Sequence, residues 1–112
     1  MTYPLALLNT SIITASGSYE LKPITLDEAR DVFNKHKDNA GIDSAIGHES
    51  TATLFGTLMG SEVKAHRQQF AQQTGQHALV LKLMQRAPEG KILSIDEIEE
   101  IGYEFQLLSK TA

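Results

Sequence analysis

The chain has 112 residues, a formal net charge of −4 and no cysteine. This length suits one domain, and the balance of 41% apolar and 21% charged residues excludes long disordered stretches. The absence of cysteine excludes disulfides and thiolate chemistry, and the acidic balance argues against binding to long nucleic acid. Because no apolar run is as long as a membrane helix and no basic leader opens the chain, we expect no membrane partner. We expect a cytoplasmic location.

The first part of the chain has the pattern of two strands and a helix. The apolar run 5–8 predicts a buried strand, and the alternating polarity of 19–22 predicts a second one. Pro23 lacks an N–H group, so this second strand should lie at a sheet edge or end there. Thr25 and Glu28 have the spacing of a capping box, which predicts that a helix begins here.

The middle of the chain predicts a strand, a helix and a hairpin. A short strand over 42–46 precedes a second helix, which Gly60 should end. The polar stretch 66–72 and the strongly apolar stretch 76–84 are separated by the turn-forming pair Thr74-Gly75. This arrangement predicts a β-hairpin whose second arm is a central strand.

The last part predicts a helix and a closing strand. Ser94 and Glu97 form another capping box, and the helix should bury the isoleucines at positions 95, 98 and 101. Residues 103–107 alternate in polarity, as a strand does. The whole pattern predicts an α/β fold: a single small domain over residues 1–112, with a mixed sheet of about five strands flanked by about three helices.

The charges are unevenly distributed along the chain. Residues 61–91 carry a net charge of +3, whereas 1–60 carry −3 and 93–112 carry −4. A local basic segment in an acidic protein favours a small anionic ligand over a polymer. The alternative is that these charges only decorate solvated faces.

The first candidate site is the loop Gly47-His48-Glu49-Ser50-Thr51, between a strand and a helix. The first N–H groups of a helix lack internal partners and bind anions, while Gly47 allows close approach of a ligand and the two hydroxyls add donors. A histidine at the mouth of such a site can protonate a leaving group. The alternative is that Ser50 or His48 caps the helix.

Two other loops carry candidate residues. Gln85-Arg86-Ala87-Pro88-Glu89-Gly90-Lys91 follows the most apolar strand, and it offers a guanidinium suited to phosphate and a carboxylate that could accept or orient a proton. The alternative interpretation of this loop is that its charged residues only form a surface ion pair in a turn. Asn9-Thr10-Ser11 follows the first strand and could bind a base or a phosphate, or could form an Asx turn. The four histidines lack zinc-ligand spacing, so we expect no metal and no cofactor.

The combination of Ile46–Thr51 with Gln85–Leu93 resembles the viral ring nucleases, which are type III anti-CRISPR proteins with relatives in bacteria and mobile elements. The resemblance implies a homodimer that cleaves cyclic tetra-adenylate without a metal, and so ends type III CRISPR signalling. The product is linear di-adenylate with a 2′,3′-cyclic phosphate. By this resemblance His48, Glu89 and Arg86 are catalytic. The ligand-binding residues that we expect are Asn9, Thr10, Ser11, Gly47, Ser50, Thr51, Arg67 and Gln85.

The candidate residues have the types that this chemistry needs. The ribose 2′-hydroxyl is an internal nucleophile beside its phosphate, so the enzyme must align it, stabilise the phosphorane and protonate the leaving oxygen. Arg86 and His48 suit the last two tasks. Two other hypotheses remain open at this point: a protein that binds a cyclic oligonucleotide without cutting it, as a sponge or sensor, and a structural or regulatory protein without a ligand.

Overall fold

The computed structural model describes residues 3–11, 13–85 and 93–112. In these ranges the chain forms five strands and three helices, which confirms the predicted α/β class. The elements, in chain order, are β1 (Leu5–Leu8), β2 (Tyr19–Ile24), α1 (Leu26–Lys37), β3 (Ile42–Ser44), α2 (Glu49–Met59), β4 (His77–Leu83), α3 (Ile95–Ile101) and β5 (Tyr103–Lys110).

The strands form one mixed sheet in the order β2-β5-β4-β1-β3. β1 is parallel to both β3 and β4, whereas β5 is antiparallel to β4 and to β2. The carboxyl ends of β1, β3 and β4 therefore meet at one edge of the sheet. Pro23 lies in β2, which is an edge strand of the sheet, as predicted. Because β2 pairs only with β5, the missing N–H of Pro23 breaks no hydrogen bond to a second strand.

The predicted hairpin is wrong, because residues 62–73 form no strand. β4 already pairs with β1 on one side and with β5 on the other, so it has no free edge for a hairpin partner. The glutamines of this stretch bond instead through their side chains. Nε2 of the buried Gln72 donates to the backbone oxygens of Gln76 at 2.7 Å and Leu108 at 2.9 Å.

The core lies on both faces of the sheet. On one face Leu79 and Leu81 of β4 pack with side chains from all three helices. On the other face Val80 packs with Phe70, which belongs to the irregular stretch between α2 and β4. This alternation along β4 agrees with its predicted central position.

Both predicted capping boxes are present. The Thr25 hydroxyl accepts a hydrogen bond from the Glu28 backbone N–H, and the Glu28 carboxylate accepts one from the Thr25 N–H. This second bond holds the pKa of Glu28 below its usual range. Ser94 caps α3 in the same way. Ile95 is 39% exposed, contrary to prediction, because it occupies the first position of α3, outside the part of the helix that packs on the core.

His77, at the start of β4, makes the stability of the fold depend on pH. Partial burial lowers the pKa of its imidazole, and the nearby His36 and Lys22 lower it further. Its Nδ1 lies 2.7 Å from the Ser109 hydroxyl. As the pH falls below the ordinary histidine value of about 6.5, the unfolded chain binds this proton before the folded protein does.

We therefore expect the free energy of unfolding to decrease between about pH 7 and pH 5, and His77→Gln to reduce that decrease. Urea unfolding at a series of pH values measures the effect. His66→Gln, which removes an exposed imidazole outside the sheet, is the matched control. An equal pH dependence in wild type and His77→Gln would contradict the prediction.

Candidate functional site

The chain leaves the parallel strands β1, β3 and β4 at the same edge of the sheet. Leu7 pairs with Ser44 of β3, and Leu8 pairs with Val80 of β4. The chain then leaves β1 through Asn9 and leaves β3 toward α2. In open α/β sheets ligands bind outside the carboxyl ends of such parallel strands. This edge therefore brings together two of the three loops that the sequence analysis selected.

His48 occupies the N-cap position of α2, but its side chain makes no capping hydrogen bond. Its backbone is extended, and its backbone oxygen accepts the first helical bond from Ala52 at 3.0 Å. The exposed imidazole is thus free to contact a ligand beside the N–H groups at the start of α2. Ser50 is half-buried and Thr51 is buried in the first turn of this helix.

Arg67 lies beside the loop that carries His48. The His66 backbone N–H donates to the Ile46 oxygen at 2.9 Å, and Gln68 Nε2 donates to the Ser44 oxygen at 2.7 Å. These two bonds hold residues 66–68 along the end of β3. Arg67 Nε lies only 3.7 Å from the place where a Cβ on Gly47 would stand. The structure therefore brings three predicted residues together: Gly47, His48 and Arg67.

The loop 9–11 lines a cleft of about 220 Å³ on the sheet face opposite the helices. Lys82 and Gln106, which the sequence analysis did not propose as site residues, line the same cleft. The Ser11 hydroxyl lies 3.4 Å from the Gln106 side-chain oxygen, and Gln106 Nε2 donates to Glu104 at 3.0 Å. The cleft thus combines a cation with neutral donors and acceptors. The sequence feature that points to Lys82 is that it is the charged residue within an apolar strand.

The third predicted loop is described only at its start. Gln85 is exposed and lies two residues after the last residue of β4, beyond the carboxyl end of that strand. Arg86 and Glu89, the two other predicted catalytic residues, lie outside the described residues.

The described ranges contain no group of three or more histidine, aspartate or glutamate side chains that could hold a metal ion. No helix in the same ranges is long and apolar enough to cross a membrane.

Gly56, in the middle of α2, sets the path of the segment that carries Arg67. A Cβ at this position would stand 2.6 Å from the Ser61 backbone oxygen and 3.1 Å from the Val63 backbone nitrogen. Because both contacts are backbone atoms, Gly56→Ala must move residues 61–63. We expect it to lower the free energy of unfolding by about 1–3 kcal/mol, as overpacking typically does.

Urea denaturation tests this expectation, with Thr53→Ala as the control because Thr53 is exposed on the same helix. If Gly56→Ala were instead more stable than wild type, the higher helix propensity of alanine would dominate and the close contact would be unimportant.

The fold and the site define a small α/β protein with a mixed sheet and candidate residues at the carboxyl edge of its parallel strands. The same fold occurs in the structure of B116 of Sulfolobus turreted icosahedral virus. The TM-score is 0.83 at 23% identity, over 95% of this chain and 98% of that chain. The chain belongs to the STIV B116-like family, whose model matches residues 5–105.

Relatives of this chain occur in a bacterium and in viruses. The uncharacterized protein YddF of Bacillus subtilis (strain 168) is 35% identical over 95% of this chain and 96% of its own length. The uncharacterized protein ORF117 of Acidianus two-tailed virus is 28% identical over 95% of this chain and 92% of its own length. The similarity therefore extends over nearly the whole of each chain.

Proposed function

We propose that this protein is a metal-independent ring nuclease that cleaves cyclic tetra-adenylate to linear di-adenylate with a 2′,3′-cyclic phosphate. The observation that carries the proposal is the arrangement of His48: an exposed imidazole at the start of α2 that makes no capping bond, with Arg67 Nε close to the preceding Gly47. A proton donor, a cation and free helical N–H groups are the parts that phosphodiester cleavage by an internal hydroxyl needs.

In the proposed reaction the 2′-hydroxyl oxygen forms a bond to the adjacent phosphorus, and the bond from phosphorus to the 5′-oxygen breaks. His48 gives its proton to the departing 5′-oxygen, and Glu89 receives the proton of the 2′-hydroxyl. Arg86 and Arg67 neutralise charge on the phosphoryl oxygens, as guanidinium groups do in phosphate sites. Switching off type III CRISPR signalling would be the biological result.

We also propose that the protein acts as a homodimer. A ring of four identical nucleotides has symmetry that matches a two-fold axis, so opposite phosphates could meet equivalent copies of His48. The cleft residues Asn9, Thr10 and Ser11, together with Lys82, would then hold ring atoms away from the reacting phosphate. Gly47, Ser50 and Gln85 would complete the binding surface, and the buried Thr51 would contribute through its backbone N–H in the first turn of α2.

A second candidate function is binding of the cyclic nucleotide without cleavage. The cleft lined by loop 9–11 favours it, because that cleft contains a lysine and polar groups but no histidine or acid among its described lining residues. Such a protein would sequester or sense the ring.

The test is incubation of purified protein with cyclic tetra-adenylate in EDTA, followed by chromatography. Loss of the ring with accumulation of linear di-adenylate supports the nuclease. A ring that stays intact but co-elutes with the protein supports the binding function instead, and a ring that neither binds nor reacts contradicts both.

A further inference from the structure

A groove of about 360 Å³ lies between α1, β3 and the segment that follows α2. Its apolar floor is formed by the half-buried Ile42 of β3 and Val63 of the following segment, which pack on the core that contains the buried Leu7 and Phe33. This volume falls within the range of about 300–1,000 Å³ found for small-molecule sites, which are mostly apolar with a few polar groups. The groove can therefore take up a compact ring system.

Basic side chains line the same groove. Lys37, Lys64 and His66 all belong to its lining, against one carboxylate, that of Glu62. Glu62 pairs with Lys64 at 3.5 Å, so the carboxylate compensates only one of the two lysines. Lys37 Nζ donates to the Ser61 hydroxyl at 3.1 Å and makes no ion pair with any described residue. The groove thus has a surplus of positive charge.

His66 and two hydroxyl groups add further hydrogen-bonding capacity. Gln68 Nε2 donates to the Ser44 backbone oxygen at 2.7 Å and to Asp43 Oδ1 at 3.1 Å, and His66 Nδ1 lies 3.2 Å from the same nitrogen. An imidazole carries two ring nitrogens that can serve as donor or acceptor toward a ligand. Ser44 and Ser61 line the groove beside it. These groups suit a ligand that has hydroxyl or ring-nitrogen acceptors as well as an anionic group.

We propose that this groove binds a compact organic phosphate with a flat ring, of the size of a nucleoside monophosphate. The apolar floor matches the ring, and Lys37, which has no carboxylate partner among the described residues, matches the phosphate. Lys64 would bind the ligand either in place of Glu62 or while keeping its ion pair with Glu62. A long-chain anion fits less well, because hydroxyl groups and charged side chains line the groove alongside its apolar floor. The inference is independent of the proposed nuclease activity.

The groove is distinct from the candidate nuclease site, although the two share one segment of chain. His66 lines the groove, and the next residue, Arg67, lies against Gly47. Amide chemical shifts can therefore distinguish the two places, since Ser61, Val63 and Lys64 report on the groove while Gly47 and His48 report on the nuclease site.

The test is an NMR titration of the full chain with adenosine monophosphate, with adenosine and inorganic phosphate as separate ligands. We expect the monophosphate to shift the amides of residues 61–64, and adenosine and phosphate alone to bind at least about tenfold more weakly, because each keeps only part of the interaction. Lys37→Gln should weaken binding by about tenfold, as loss of one charge-assisted hydrogen bond does. Lys35→Gln is the matched control, because Lys35 lies on the same helical turn outside the groove lining.

Two results would overturn the proposal. The first is that adenosine monophosphate does not shift the amides of residues 61–64; shifts confined to Gly47 and His48 would place the nucleotide in the nuclease site alone. The second is that Lys37→Gln binds as tightly as Lys35→Gln.

Discussion

His48→Ala is expected to slow cleavage of cyclic tetra-adenylate by about 10²–10⁴-fold, the range for loss of a general acid. The leaving 5′-oxygen would then have to depart as an alkoxide or take its proton from water. Binding of the ring should change little, because the proposed phosphate contacts of Arg67 and of the α2 N–H groups would remain. Single-turnover rates give the first effect, and calorimetric titration with the uncut ring gives the second.

The fold should tolerate this change. The His48 side chain is exposed and makes no capping bond, so the free energy of unfolding should stay within about 0.5 kcal/mol of wild type. His77→Ala is the control for loss of an imidazole, because His77 starts β4 and lies at the opposite end of that strand from the candidate site. A His48→Ala protein that cleaves at the wild-type rate would remove the general acid from the mechanism.

Phe55→Ala is expected to lower the free energy of unfolding by about 3–5 kcal/mol, the usual cost of removing a buried phenyl ring. Phe55 is fully buried, and its ring meets that of Phe105 edge to face, with 5.6 Å between the ring centroids. The substitution leaves a cavity where α2 packs on the sheet. Since a domain of this size has a total stability of about 5–15 kcal/mol, this one change removes a large share of it.

Urea unfolding measures this loss, and Leu21→Ala is the matched control. Leu21 lies on β2 at the sheet edge and is 47% exposed, so its truncation should cost less than about 1 kcal/mol. Equal losses for the two variants would mean that α2 does not pack on the sheet as described.

Local patterns were sufficient to predict most elements of the fold. Both capping boxes depend on residues three positions apart, and Gly60 ends α2 in a left-handed conformation that glycine favours. The central position of β4 follows from its continuous apolar run. These features could be predicted because the interactions that produce them join neighbours in sequence or repeat with a fixed period.

Features that depend on distant contacts could not be predicted in this way. Gln72 bonds to the backbone of Leu108, 36 positions away, and this bond replaces the predicted strand pairing. Arg67 reaches Gly47 because His66 bonds to Ile46, 20 positions before it. Lys82 and Gln106 belong to different strands and meet only in the assembled sheet. Because these partners are far apart in the sequence, no local periodicity could predict that they meet.

The most direct test of the account is the mass of the product formed from cyclic tetra-adenylate in EDTA and heavy-oxygen water. If the 2′-hydroxyl is the nucleophile, one cut gives a linear isomer with the mass of the ring, and a second cut at the opposite phosphate gives di-adenylate with half that mass. Neither product carries an oxygen from the solvent. A first product heavier by one labelled water would show that water attacks the phosphorus. That result would contradict the mechanism, and an intact ring would contradict the proposed activity.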